Sequence, residues 1–335
     1  IYCVRNRRAL FVSPTACHKK DDLVFTSTGW KLIQDIKVGD KVFGADGKEK
    51  TILRTFNGKA PLFEINPSNN RSKITVTGEH ILAIKHTDAK TKYGYAKNDP
   101  DTVEYISVNE YIKKSKYFKH CSVLFYNNIP LQFGTQPKTK LSPYFIGCYL
   151  GDGHTHNCAI TTKDKEIVQA IHEEAKRFNY TVSQRKNTIT YNIIKKDNES
   201  KRNLILHEFE LFGLNFINND TRTKCENKFI PKDFLESNLE FRKELLAGLI
   251  DTDGHLANGS YFEFCSKSHQ LALDVQQLAV SLGLISYIKE KFNKKYQKTY
   301  YKTIIMGNID QIPTRIPRKQ FVQKPRQRRP YVSKF

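Results

Sequence analysis

The chain has 335 residues, 39% of them hydrophobic, which is enough for two domains with cores of their own and thin for three. Lys and Arg total 55 against 34 Asp and Glu, and the formal charge of +21, spread along the whole length, points to a polyanionic partner, nucleic acid first. No apolar run reaches the roughly 20 residues of a bilayer span, and the early ALFV stretch falls short of a signal-peptide core of about 7 to 15 residues, so no membrane partner is expected.

The seven cysteines (Cys3, Cys17, Cys121, Cys148, Cys158, Cys225, Cys265) are scattered without a C-x-x-C pair, which predicts an intracellular, reducing compartment, cytoplasm or nucleus. His154, His156 and Cys158 form an H-x-H-x-C run, but no second ligand pair stands at finger spacing, which argues against zinc. The first residue is Ile1 rather than Met, so a fragment of a longer protein is expected.

From Cys17 to about Ile84 the chain reads as short strands. LVF, KVF, TILRT, LFEI and KITVTGEHILAI are rich in β-branched and aromatic residues, and Ser-Thr-Gly, Ala-Asp-Gly, Asn-Gly and Thr-Gly mark the turns between them. This predicts an all-β module. Residues 87–135 are polar, Tyr-rich and Lys-rich with weak periodicity, so they read as an insertion or linker. Pro130, Pro137 and Pro143 mark the passage into mixed α and β sequence.

The opening CHKKDDLVFTSTGWKLIQDIKVGDKVFGADG, with TGEH at 77–80, resembles the N-terminal splicing blocks of inteins. The resemblance implies a Hint-type fold in which the Cys17 thiolate attacks the Ala16 carbonyl in an N–S acyl shift. His80 would protonate the departing nitrogen and Thr77 would orient the strained bond. Residues 1–16 would then end a host protein, an extein attached in cis. Inteins close with His-Asn before a nucleophile, whereas this chain closes with QKPRQRRPYVSKF. The C-terminal splicing blocks are therefore expected to be truncated or lost.

The second half contains an internal repeat. IGCYLGDGH (146–154) and LAGLIDTDGH (246–255) each set an apolar, small-residue stretch before an Asp-Gly ending, and Asp152 and Asp253 lie 101 residues apart. After each comes a strand, then an amphipathic helix (about 164–178 with Ile167, Ala170, Ile171, Ala175 and Phe178; about 268–282 with Leu271, Val275, Leu278, Ala279 and Leu282), then two strands. Such self-similarity predicts a pseudo-dimer folded from one chain. Gly147 and Gly151 on one helix are expected to pack against Ala247 and Gly248 on the other. That would bring the two helix ends together with Asp152 and Asp253 in one site. Paired carboxylates repel unless a cation lies between them, and oxygen-only ligands suit Mg2+ and phosphodiester hydrolysis. One Asp-Gly ending alone is the stop of a buried helix; two in equivalent repeats favour a site.

The motif resembles that of the LAGLIDADG homing endonucleases over about residues 140–320, the first copy being degenerate. The resemblance implies αββαββα repeats whose sheets form a saddle over double-stranded DNA, with Asp152 and Asp253 binding the metal. It also implies a basic residue near each carboxylate: Lys228 in KFIP, and Lys319 in IPTRIPRKQ with Arg318 as its alternative. Arg185, Lys186, Lys195, Lys196, Lys289, Lys291, Lys294 and Lys302 become the DNA contacts, to phosphate more than to bases.

The expected fold class is thus multidomain: an all-β Hint-like splicing module followed by an α+β endonuclease. Its segments would be 1–16 (extein-like), 17–135 (splicing module with insertion), 136–312 (endonuclease) and 313–335 (basic C-terminal segment). The expected protein is a monomeric, Mg2+-dependent DNA-cutting enzyme; the alternatives are a non-cutting nucleic-acid-binding maturase and a purely self-processing protein.

Overall fold

The computed structural model describes residues 2–5, 17–44, 46–66, 74–86, 103–125, 129–133, 136–154, 157–196, 203–214, 225–294, 297–321 and 332–333. Packing divides the chain into two compact units, one of residues 1–132 with 326–335 and one of residues 133–325. The first unit is therefore discontinuous in sequence, interrupted by the second.

The first unit is mostly strands. A five-stranded sheet orders Arg54–Asn57, Tyr2–Arg5, Cys17–His18, Ile74–Thr77 and Leu62–Ile65; a four-stranded sheet orders Glu104–Ser107, Ile81–His86, Ser122–Phe125 and Val332–Ser333. A third sheet orders Gly29–Leu32, Leu23–Thr26, Lys41–Phe43 and Glu49–Thr51. Strand Ile81–His86 shows the cause: Leu82, Ile84 and His86 alternate inward, with Leu82 and Ile84 joining Val76, Ile106, Val108 and Leu124 in one core. Gly47, at φ +71°, turns the chain between Lys41–Phe43 and Glu49–Thr51.

The expectation of an all-β module does not hold for the described residues, and the stretch 87–135, read as an insertion or linker, contributes both helices and strands. Val108–Lys113 and Lys116–Cys121 are helices, the first closed by a Ser107–Glu110 capping box and the second by Ser115. Glu104–Ser107 and Ser122–Phe125 flank Ile81–His86 on either side. Of the described tyrosines here, Tyr105 and Tyr117 are exposed, whereas Tyr111 lies in the core.

The second unit contains both repeats around one core. The first runs through helix Pro143–Asp152, strand Ala159–Thr161, helix Lys165–Arg177, strands Tyr180–Gln184 and Thr190–Lys195, and helix Leu204–Leu211. The second runs through helix Leu239–Asp253, strands Gly254–Ala257 and Tyr261–Ser266, helix His269–Ser281, and strands Ile285–Asn293 and Lys298–Met306. Their sheets have three and four strands, because the first repeat keeps only a single bridge, Gly153 to Ile160, where the second has strand Gly254–Ala257. Among the described residues the full αββαββα pattern therefore appears in neither repeat: the first has no strand beside that bridge, and the second ends in short 3-10 turns.

The two motif helices start differently. Pro143 occupies the first turn of one, where its missing N–H is no loss, and the buried Glu174 accepts from the Ser142 N–H (3.1 Å) and hydroxyl (2.6 Å). Asn238 caps the other by accepting from Phe241 N–H at 2.9 Å. Residues 313–335 do not form a separate segment. Ile312 and Ile316 are in the core of the second unit, and Val332–Ser333 pairs with Ser122–Phe125 in the first.

Candidate active site and nucleic-acid interface

The motif helices touch backbone to backbone. A Cβ on Gly147 would stand 2.9 Å from Gly248 Cα, and one on Gly248 would stand 2.9 Å from Cys148 N. Only glycine at both positions allows this approach, and it draws the helix ends together. Gly151 meets the Thr252 side chain instead of Ala247 or Gly248, so the expected partner was wrong there. The cause is the pseudo-twofold relation, which sets equivalent positions opposite each other.

Asp152 and Asp253 end these helices, and the charge of Asp152 acts on the Asp253 carboxyl. Partial burial raises the Asp152 carboxyl above the usual range, while Lys228 and Lys319 pull it back. The Asp253 residue is exposed, yet desolvation of its carboxyl by the surrounding protein, and then the charge of Asp152, push its pKa up to about 6. Each helix end also holds one of the expected lysines. Lys228 Nζ donates to the carbonyls of Gly151 (2.6 Å) and Gly153 (3.3 Å). Lys319, 6% exposed, donates to those of Ile250 (2.9 Å), Asp251 (2.7 Å) and Thr252 (3.1 Å). An ammonium has three protons, so these bonds use all of them. Lys319 therefore brings charge to the helix end, where the backbone dipole favours it, rather than a free proton donor. Arg318, its alternative, is committed elsewhere in a two-pronged pair with Asp164 at 2.5 and 2.8 Å.

The expected DNA contacts divide by sheet face. In the four-stranded sheet the pairings Lys289–Lys302, Lys302–Cys265 and Lys291–Tyr300 set these side chains on the face opposite buried Phe262 and Phe264. Lys289 and Lys291 are exposed, Lys289 lies 5.5 Å from the Tyr287 ring, and Lys302 is bound to Glu263 at 2.7 Å. Lys294 is exposed in the adjoining turn. In the first repeat, Arg185 and Lys186 are exposed at a hairpin turn, where with Lys163 and Gln184 they line an open groove of about 490 Å³. Lys196 is exposed and donates to Asn179 at 3.1 Å. Lys195 is placed differently. It shares its strand face with buried Ile193, and its Nζ is buried without a hydrogen-bond partner, so the surface contact expected of it does not fit. The open face of this first sheet carries Thr161, Thr181, Ser183, Thr190 and Asn192 instead.

In the first unit, Thr77 and His80 are buried, and the turn between them is closed by His80 N–H donating to Thr77 O at 3.1 Å. His80 Nδ1 has no hydrogen-bond partner. His18, absent from the sequence expectations, stands edge-on to His80 at 4.9 Å between ring centres and bonds Asp22 through Nδ1 at 3.2 Å. Burial, and then the charge of His18, lower the His80 pKa to about 4. Cys17 pairs through its backbone with Cys3; Ala16 and the extein-like residues 6–16 lie outside the described residues. So does His156, while His154 Nε2 bonds Thr161 at 2.8 Å and Cys158 is buried. The chain does contain a His-Asn-Cys run, 156–158, but it falls in the second unit directly after the first motif.

With this geometry established, residues 240–312 match the LAGLIDADG-like domain family. That span carries a LAGLIDADG-like domain. The replicative DNA helicase DnaB of Mycobacterium intracellulare is 27% identical over 77% of this chain and 41% of its own length. The ATP-dependent DNA helicase Hel308 of Methanocaldococcus jannaschii is 24% identical over 86% of this chain and 22% of its own. The chain thus spans less than half the length of the curated relatives it matches. Among solved structures, the homing endonuclease I-DmoI in complex with DNA and Mn is 14% identical, over 51% of this chain and 91% of that one, with a TM-score of 0.35. Among the described residues no helix is long and apolar enough to cross a membrane.

Proposed function

We propose that the second unit cuts double-stranded DNA as a LAGLIDADG homing endonuclease, each motif carboxylate serving one strand. The observation that carries this reading is the meeting of two repeated helix ends, each with an acid in the site and a lysine on its last carbonyls. The donor set, one carboxylate at each motif-helix end, offers oxygen ligands of the kind that suit a hard cation. Asp152 and Asp253 would hold Mg2+, which supplies positive charge against a scissile phosphate. Lys228 and Lys319 keep positive charge at both helix ends and hold the carboxylates towards their ionised form. The exposed lysines of the four-stranded sheet, with Arg185 and Lys186, would neutralise DNA phosphates. Both acids come from one chain, so the unit would act as a monomer.

The test is incubation with a randomised duplex library and Mg2+, sequencing the cut ends, and repetition with Asp152→Asn and Asp253→Asn. Each variant should lose at least about 100-fold in cutting one strand. Undiminished cutting by both rejects the site, and binding without cutting by the native chain selects the maturase reading.

The first unit supports a second activity, that of an intein-type splicing module. His80, neutral at pH 7 with an unpartnered ring nitrogen beside the Thr77 turn, is the supporting observation. In the N–S shift the Cys17 sulfur bonds the Ala16 carbonyl carbon, the Ala16–Cys17 C–N bond breaks, and the thiol proton ends on the freed amine. Dithiothreitol should then release residues 1–16 from the native chain, and Cys17→Ala or His80→Ala should abolish the release. The helicase names of the relatives suggest host proteins that act on DNA. In this chain neither Gly-Lys pair, 47–48 or 58–59, is followed by the Ser or Thr of a phosphate-binding loop.

A further inference from the structure

The second motif helix has a carboxylate that the cutting chemistry leaves unused. Asp251 is fully buried. Its Oδ2 accepts from the Tyr144 hydroxyl at 2.8 Å and from the Arg315 backbone N–H at 2.6 Å, while Oδ1 has no hydrogen-bond partner. A half-satisfied buried acid costs several kcal/mol if ionised, and the equivalent position of the first motif helix has Leu150. An apolar residue therefore suits this place in the helix, and the acid needs another reason.

The reason is the segment it holds. Arg315 starts the turn that leads to Lys319, and its guanidinium lies 3.8 Å above the Tyr144 ring. Four residues later, Lys319 Nζ reaches the carbonyl of Asp251 itself and those on either side. Asp251 thus grips the segment at one end through its side chain and at the other through its main chain. The first half-site is built otherwise: Asp274 accepts from Ile230 N–H at 2.8 Å, the Ser268 hydroxyl donates to Lys228 O at 2.5 Å, and neither residue belongs to a motif helix.

We propose that Asp251 is the positioning residue for Lys319, so that one half-site depends on a buried acid within its own motif helix, whereas the other is anchored by Asp274 from outside the motif helices. The consequence for strand cutting rests on the endonuclease reading; the anchoring of Lys319 does not. Asp251→Leu installs the side chain that the first helix carries. In the full chain, on a plasmid bearing the selected target, this variant should accumulate nicked circles, one strand slowing at least about tenfold and the other within about twofold, as expected when the hydrogen bonds from the Arg315 N–H and the Tyr144 hydroxyl are both lost. Asp251→Asn keeps an acceptor for Arg315 and should restore linear product. Acetylation of the folded chain with mass-spectrometric readout should show Lys319 labelling rise in Asp251→Leu and Lys228 labelling stay as in the native chain. Equal slowing of both strands, or unchanged protection of Lys319, overturns the proposal. If Asp251→Leu does not fold, Tyr144→Phe with Asp251→Asn must raise Lys319 labelling above either single variant, and failure to do so overturns it as well. A native chain that cuts no DNA removes the endonuclease reading, while the labelling still decides the anchor.

Discussion

At the residue scale, the site sets two lysines against two carboxylates that burial and neighbouring acids hold above the usual range. With its pKa pushed up to about 6, Asp253 holds a proton below that pH and competes with a cation for the same oxygens. Manganese affinity, followed by water-proton relaxation, should be level above pH 7 and fall roughly tenfold per unit below pH 6. Affinity that stays constant to pH 5 would place the ion elsewhere. His80 gives the opposite kind of titration. Its folded pKa of about 4 lies below its ordinary value, so the unfolded chain takes the proton first as pH falls. Its contribution is complete above about pH 6.5 and fades towards pH 4, by up to roughly 3 kcal/mol. The urea midpoint should drop across that window, and His80→Gln should flatten the drop. Asp152 and Asp253 were legible because the motif that bears them occurs twice. Asp251 and His18 occur once, and a single acid or histidine in a sequence does not reveal its partner.

At the scale of elements, the helix crossing turns on competing effects of comparable size. Alanine favours a helix over glycine by about 1 kcal/mol, which would make Gly248→Ala stabilising on an isolated helix. Here its methyl would collide with the Tyr144 carbonyl, and overpacking costs about 1–3 kcal/mol. Net destabilisation is expected, read as a lower urea midpoint together with weaker metal binding as the acids separate. A variant more stable than the native chain would show that the helices are not in contact at this point. Helices Lys165–Arg177 and His269–Ser281 were readable from their apolar spacing, because one face is buried against a sheet and the other wet. The motif helices are buried nearly all round, so spacing says little about them and their small residues carry the signal instead. The strands around residues 104–125 were missed because neither alternates: Glu104–Ser107 carries exposed Tyr105 and then two buried residues, and Ser122–Phe125 is buried at three successive positions.

At the scale of the whole molecule, a charge of +21 predicts strong salt dependence of DNA binding, yet not every lysine shares in it. Lys289→Ala or Lys291→Ala should each reduce the slope of log K against log salt by about 0.9, the value of one phosphate contact. Lys195→Ala should leave the slope unchanged, since its ammonium is buried. An equal effect at all three would mean that the strand faces are read wrongly. The chain also leaves the first unit and returns to it, as Val332–Ser333 pairing with Ser122–Phe125 shows. No local pattern announces such a return, because two residues among basic ones carry no periodicity.

The sequence by itself determined the repeat, its paired acids, the amphipathic helices and the polyanion-seeking charge, since each is written in spacing or composition along the chain. Only the tertiary structure decided what those residues meet: that Lys319 spends its protons on helix carbonyls, that Lys195 points inward, and that Asp251 grips a segment 64 residues away. Burial and hydrogen bonding belong to neighbours in space, and the one-dimensional order of residues leaves those neighbours unspecified until the backbone closes.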